Sequence, residues 1–219
     1  MTSLLSPAVR AVLDRLYAEA ERNDGEVLPR VRAEAERLGG QYEDRKVAKL
    51  LDDAFIPVCP EVGQLLYVLV RMRRPKLAVE FGTSFGLSAI HIAAALRDNG
   101  EGKLITTELN AFKAGRALEH FRQAGLADLI DLRQGDAFET LDGVRGIDFL
   151  MLDGWKSLYL PLLQKLEPAL SPGSLVAADD INLMQELLKP YLAYVRDSRN
   201  GYTSCEVPLD DGLEVSLRG

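Results

Sequence analysis

From Leu77 onward, strand-like runs alternate with amphipathic stretches, and this alternation constrains the fold more than any other feature. The runs at 77–81, 103–107, 130–134, 147–152 and 174–178 read as strands, because short apolar segments of this kind suit a sheet buried on both faces. Between them, 86–96, 111–124, 158–170 and 183–195 have the spacing of helices. Such βαβ alternation predicts an α/β fold, a parallel sheet with helices on both faces. The ending differs. Runs at 202–207 and 212–217 are joined by Pro208-Leu209-Asp210-Asp211, a short link that fits a hairpin, so the last pair is expected to be antiparallel.

Residues 1–56 read as a helical segment that covers the sheet or supplies a lid or dimer surface. Ser6 is a candidate N-cap, with Pro7 at the first helical position. Val9, Val12, Leu13, Leu16, Tyr17 and Ala20 follow on one face. Pro29 is expected to open a second helix ending at Gly39-Gly40, and 45–54 a third.

Two of the apolar runs end in acids: Leu152-Asp153 and Ala178-Asp179-Asp180. In an open parallel sheet, ligands bind at the carboxyl ends of the strands. Three carboxylates converging there repel one another unless a cation joins them. Asp153, Asp179 and Asp180 are therefore candidate metal ligands, and Lys156, three residues after the first acid, is a candidate base.

The net charge of −7 argues against nucleic acid, which is bound by lysine and arginine clusters. Cys59 and Cys205 have no metal or redox spacing and cannot make a disulfide framework. No signal peptide is read, and no apolar run approaches the roughly 20 residues needed to span a bilayer. A cytoplasmic protein without membrane association is expected.

Gly82-Thr83-Ser84-Phe85-Gly86 joins the first strand to its helix. Its Gly-x-Ser-x-Gly pattern is similar to a hydrolase nucleophile elbow. In that class, however, the base follows the acid late in the chain, whereas His91 and His120 precede most of this fold. A dinucleotide site needs Gly-x-Gly-x-x-Gly, which is absent. Glu80 just upstream disfavours a pyrophosphate and favours a cationic ligand, so S-adenosylmethionine fits better than a nicotinamide cofactor. Glu108, ending the second strand, can accept ribose hydroxyls from either. Asp136 and Phe138, after the third strand, would lie beside an adenine.

Together these residues match a family. The chain resembles the cation-dependent, class I S-adenosylmethionine O-methyltransferases, the group of catechol and caffeoyl-coenzyme A enzymes, from about Pro60 onward. The resemblance rests on Pro60-Glu61-Val62-Gly63-Gln64, Glu80 to Ser88, Glu108-Leu109-Asn110, Asp153-Gly154-Trp155-Lys156, Tyr159-Leu160-Pro161, Ala178-Asp179-Asp180 and Asp211-Gly212-Leu213-Glu214. It implies a Rossmann-like, mostly parallel seven-stranded sheet over 57–219, S-adenosylmethionine and Mg²⁺ or another divalent cation, and possible homodimers. Val58, Glu80, Gly82, Thr83, Ser84, Ser88, Glu108, Asp136, Ala137 and Asp153 would then hold the cofactor. Asp153, Asp179 and Asp180 would hold the metal, Lys156 would be the base, and Trp155 would wall a small catechol-like acceptor. Asp180 replaces the family's usual asparagine; alternatively it turns away and Asn182 supplies an oxygen. Gly154 replaces a histidine of the catechol enzymes, which leaves room or flexibility beside the donor methyl. Cys205, next to Glu206, falls at the family's acidic tail residue. Methyl transfer without a metal, an NAD-dependent oxidoreductase and a non-catalytic cofactor-binding protein are the alternatives.

Overall fold

The structure is a computed structural model and describes residues 2–37 and 49–219. Among these residues seven strands form one sheet: β1 (Leu77–Phe81), β2 (Lys103–Glu108), β3 (Ile130–Gln134), β4 (Ile147–Leu152), β5 (Leu170–Ala178), β6 (Tyr202–Val207) and β7 (Leu213–Arg218). Their order is β3-β2-β1-β4-β5-β7-β6. The first five are parallel, and β7 runs antiparallel to both β5 and β6. The expected hairpin is therefore present, with its second strand inserted beside β5. Glu214 of β7 is fully buried, and both its oxygens accept from Arg196, at 2.8 and 2.6 Å. A buried carboxylate is tolerated when paired in this bidentate way.

Alternate strand residues feed two cores. Ala78, Phe149 and Met151 face one side with α1 (Pro7–Arg37), α2 (Pro60–Arg73), α3 (Leu87–Asn99) and α4 (Ala111–Gln123). Val79, Leu150 and Leu152 face the other with α5 (Ala137–Thr140), α6 (Tyr159–Leu166) and α7 (Gln185–Val195). This period-two division follows from the strand pleat.

The N-terminal segment differs from its reading. Pro29 does not open a second helix; α1 runs through it from Pro7 to Arg37. A helical proline clashes with the carbonyl four residues back, and here that residue is Gly25. Both are solvent-exposed, where a carbonyl that loses its helical donor can tilt out to water. The Gly39-Gly40 stop lies outside the described residues, as does much of the 45–54 helix; from Leu51 to Asp53 the chain is a turn. Val9, Val12, Leu13, Leu16 and Ala20 pack α1 into the core. At its start, Asp98 of α3 accepts from the Ser3 amide and hydroxyl and from Tyr67.

Helix α2 was not anticipated, although its signals are present. Pro60 occupies the first position after an N-cap at Cys59, whose sulfur accepts from Val62 N. Val62, Leu66 and Val70, four residues apart, are fully buried. Among the described residues no helix is long and apolar enough to cross a membrane.

Candidate active site

The strand order reverses between β1 and β4, since β1 leads to β2 on one side and pairs with β4 on the other. A crevice opens at the carboxyl ends of strands at such a switch point. The ladder continues one residue past the strands, with Asp153 N donating to Phe81 O at 2.9 Å and Asp179 N to Leu152 O at 3.0 Å. Backbone pairing thus fixes both acids on one rim. Gly82 is required there, because a Cβ would lie 2.6 Å from the Asp153 carbonyl and φ is +94°.

Asp153, Asp179 and Asp180 each offer an oxygen, all within 4.8 Å of one another. Lys156 stands among them, its Nζ 2.9 Å from Asp180 and 4.0 Å from Asp153. It also donates to the Tyr159 hydroxyl at 2.8 Å and to the Asp179 carbonyl at 3.3 Å. Burial, then the Asp179 charge, pushes the Asp153 carboxyl well above its usual range, against the pull of Lys156. Burial and then Asp180 raise Asp179 to about 7. One lysine cannot neutralise three acids, and a hard divalent cation prefers this oxygen set. The residues fit a metal.

The donor side is built from the β1–α3 loop. Glu80 is fully buried, and its Oε2 accepts from the Thr106 hydroxyl at 2.5 Å. Its Oε1 and the Thr83 hydroxyl are buried without a partner among the described residues. Burial raises the Glu80 carboxyl, while the nearby Thr106, Ser88 and Thr83 hydroxyls oppose the rise. Orphaned buried oxygens are costly, so the pair fits a ligand bearing an ammonium group. Glu108 accepts from Ser84 N at 2.9 Å and Asn110 N at 2.8 Å, which aims its carboxylate along the loop. Asp136 caps α5 by accepting from Phe138 N, with Ala137 buried beneath it.

Residues 52–58 form a strap over this loop. Ser84 and Lys113 donate to the carbonyls of Phe55 and Ala54, at 2.8 and 2.7 Å. Phe55 stacks on Phe85 with centroids 4.0 Å apart. From α1, Asp24 accepts from the amides of Phe55 and Ile56, at 2.8 and 2.7 Å. A narrow cleft of about 10 Å³ remains between strap and loop, bordered by Val58, Thr83, Ser84, Ser88 and Asp153.

The structure thus brings Val58, Thr83, Ser84, Ser88 and Asp153 around one cavity. Asp153 also belongs to the acid cluster with Lys156, whereas Asp136 and Ala137 stand apart at α5. Trp155 is half-buried against the α6 side. Two expectations are overturned. Asp180 points inward to Lys156, while Asn182 donates to Glu206 at 3.0 Å, so Asn182 does not replace it. Gly154 leaves no room, because a Cβ there would lie 2.5 Å from the Phe81 ring, which fills the space. Phe55, Ile56, Leu87 and Tyr159 also border the two halves of the site and were not anticipated; of these, only Tyr159, one turn after Lys156, had a local signal.

This sheet order, with its antiparallel hairpin and switch-point crevice, defines the class I methyltransferase fold. Solved structures share it. The O-methyltransferase TomG from Streptomyces achromogenes, in complex with SAM, superimposes with a TM-score of 0.67 over 78% of this chain and 85% of that one, at 24% identity. An O-methyltransferase from Bacillus cereus, in complex with SAH, gives 0.68 over 92% and 97%, at 17% identity. A family profile described as "Methyltransferase domain" matches residues 79–181. Catechol O-methyltransferase B of Danio rerio is 32% identical over 172 residues, 72% of this chain and 63% of that protein. Caffeoyl-CoA O-methyltransferase 1 of Eucalyptus globulus is 28% identical over 179 residues, 71% and 72% of the two chains. The chain is thus similar in sequence and fold to the S-adenosylmethionine-dependent O-methyltransferases of the catechol and caffeoyl-CoA group. It spans less than two thirds of the length of the Danio rerio relative.

Proposed function

We propose that this protein transfers the methyl group of S-adenosylmethionine to a hydroxyl of a small, catechol-like aromatic acceptor. The observation that carries the reading is the juxtaposition of the orphaned Glu80 and Thr83 oxygens with the Asp153–Asp179–Asp180 cluster and Lys156. When bound, S-adenosylmethionine supplies the electrophilic methyl, and a divalent cation a hard charge that acidifies vicinal hydroxyls.

Glu80 would hold the donor's ammonium, Ser88 its carboxylate at the start of α3, and Glu108 its ribose. Gly82 lets the loop pass close to Asp153, and Val58 closes the site from above. Asp136 and Ala137 would border the adenine. Residues 1–56 would act as cover to the 57–219 catalytic unit. Asp153, Asp179 and Asp180 would hold the cation. Lys156, its counter-charge from Asp180 shared with that cation, would take the proton of the reacting hydroxyl. The oxygen would then bond to the methyl carbon as the carbon–sulfur bond breaks. Tyr159 and the Asp179 carbonyl hold the lysine in place, and alignment of this kind is worth about 7–11 kcal/mol in well-oriented systems. Trp155 would wall the ring.

The test is turnover of a catechol panel with and without Mg²⁺. A methoxyphenol product that requires Mg²⁺ is expected, and Lys156→Ala should lose about 10²–10⁴-fold in kcat. Activity after thorough chelation would remove the metal, and full turnover by the variant would remove the base. Binding of NAD but not of S-adenosylhomocysteine would sink the whole reading. The Lys156–Asp180 pair also suits a metal-free transfer, which the chelation arm separates.

A further inference from the structure

The three acids of the rim are held by different parts of the chain. Asp153 and Asp179 extend the parallel ladder, their amides donating to Phe81 O and Leu152 O at 2.9 and 3.0 Å. Asp180 lies one residue further on, in left-handed backbone with φ +58°. A residue other than glycine keeps such a conformation only where its surroundings fix it.

The turn joining β6 to β7 supplies those surroundings. Ile181 N donates to Gly212 O at 3.0 Å and Asn182 N to Asp211 O at 2.8 Å, while Leu183 N closes a turn onto Asp180 O at 3.0 Å. The approach is tight: Gly212 has φ +83°, and a Cβ there would lie 2.4 Å from Asn182 Nδ2 and 2.9 Å from Ile181 Cγ1. Asn182, itself exposed, then reaches the hairpin with its side chain, donating through Nδ2 to Glu206 Oε1 at 3.0 Å. The other oxygen of Glu206 accepts from Arg196 at 3.2 Å, and Arg196 is anchored in turn by the buried Glu214. A continuous line of hydrogen bonds therefore runs from β6 and β7 to the two residues that follow Asp180.

We infer that Asn182 and Glu206 are positioning residues for the cation, acting through the backbone that carries Asp180. This rests on the metal reading above. Affinity for a hard cation depends on how rigidly its oxygen ligands are placed, so loosening this segment weakens binding of the ion. The donor cleft is built from the β1–α3 loop and the strap, so it is left as it was. The hairpin thus supports the acid rim from outside, through a pair of exposed side chains.

The experiment measures ion binding rather than turnover. Mn²⁺ is titrated into the intact chain with S-adenosylhomocysteine present, and the free ion is followed by its spin-resonance signal. Asn182→Ala removes the tie without changing the charge, and should bind Mn²⁺ about three- to tenfold more weakly, as for loss of one hydrogen bond. In that background a further Glu206→Ala change should cost little more, because the contact is already gone. Calorimetric affinity for S-adenosylhomocysteine and Tm should match wild type. Equal Mn²⁺ affinity in Asn182→Ala and wild type would overturn the positioning role while leaving the metal reading intact. A second loss of similar size in the double variant would assign the effect of Glu206 to its charge and overturn its part in the tie. A lowered Tm with weakened S-adenosylhomocysteine binding would mark a general structural role and overturn the inference too. Absence of Mn²⁺ binding to wild type would overturn the metal reading, and this inference with it.

Discussion

At the scale of single residues, Asp180 is the acid that pairs most closely with Lys156. It is held in left-handed backbone, φ +58°, a conformation aspartate and asparagine both tolerate. Asp180→Asn should therefore fold, but the acid cluster loses one charge and Lys156 its 2.9 Å counter-ion. Because ligand charge tunes affinity for hard cations, Mg²⁺ should bind about tenfold more weakly in calorimetry of the S-adenosylhomocysteine complex. Unchanged affinity would show that Asp180 serves the lysine alone. The acids were legible in the sequence because each ends an apolar run, and a strand end in a parallel sheet is a defined place. Asp24 was not, since it reaches the strap from a helix, 31 residues before the Phe55 amide it holds. Gly154 was misread for a related reason: the sequence shows a missing side chain but not that Phe81 takes its place.

Among the elements, the strap at 52–58 is the one whose conformation depends on its neighbours. It has no strand or long helix of its own, and it is held by Asp24, Ser84 and Lys113 together with the Phe55–Phe85 stack. Asp24→Ala removes two charge-assisted bonds and leaves the Phe55 amide buried and unpaired, a loss of about 2–3 kcal/mol. Hydrogen exchange at the Phe55 and Ile56 amides should rise, and S-adenosylhomocysteine should bind several-fold more weakly. Unaltered exchange there would show that the other contacts suffice. The strands were readable to within a few residues because each is an apolar run with punctuation on both sides. Helix α1 was divided wrongly because proline favours a helix start; here it lies on the exposed face, where the Gly25 carbonyl can turn to water. Helix α2 carried readable signals, a proline start and buried residues every fourth position, that went unused.

For the molecule as a whole, the acid cluster links stability to pH and metal. The Asp179 carboxyl rises from about 3.9 in the unfolded chain to about 7 in the metal-free fold. A carboxyl raised by folding favours the native state fully at low pH and loses that contribution as pH climbs through its folded value. Asp153 is raised in the same direction. In chelator, this contribution should fall from about pH 4 to about pH 7 and stay level above it. Mg²⁺ binds the ionised cluster, so its stabilisation should grow over the same interval. At a hundredfold excess over Kd it is worth about 2.7 kcal/mol, or roughly 5–10 °C in Tm for a chain of this size. A Tm gain from Mg²⁺ that is equal at pH 6 and pH 8 would contradict the linkage.

The placement of β7 between β5 and β6 bears on how such a chain comes off the ribosome. Strand β5 carries Asp179 on its carboxyl end, yet its outer neighbour is made only after α7 and β6 have emerged. Until then β5 is an open edge with unpaired amides, the kind of surface that seeds association between nascent chains. The acid rim is thus among the last features the polypeptide can complete, and its assembly waits on a strand contributing none of its carboxylates.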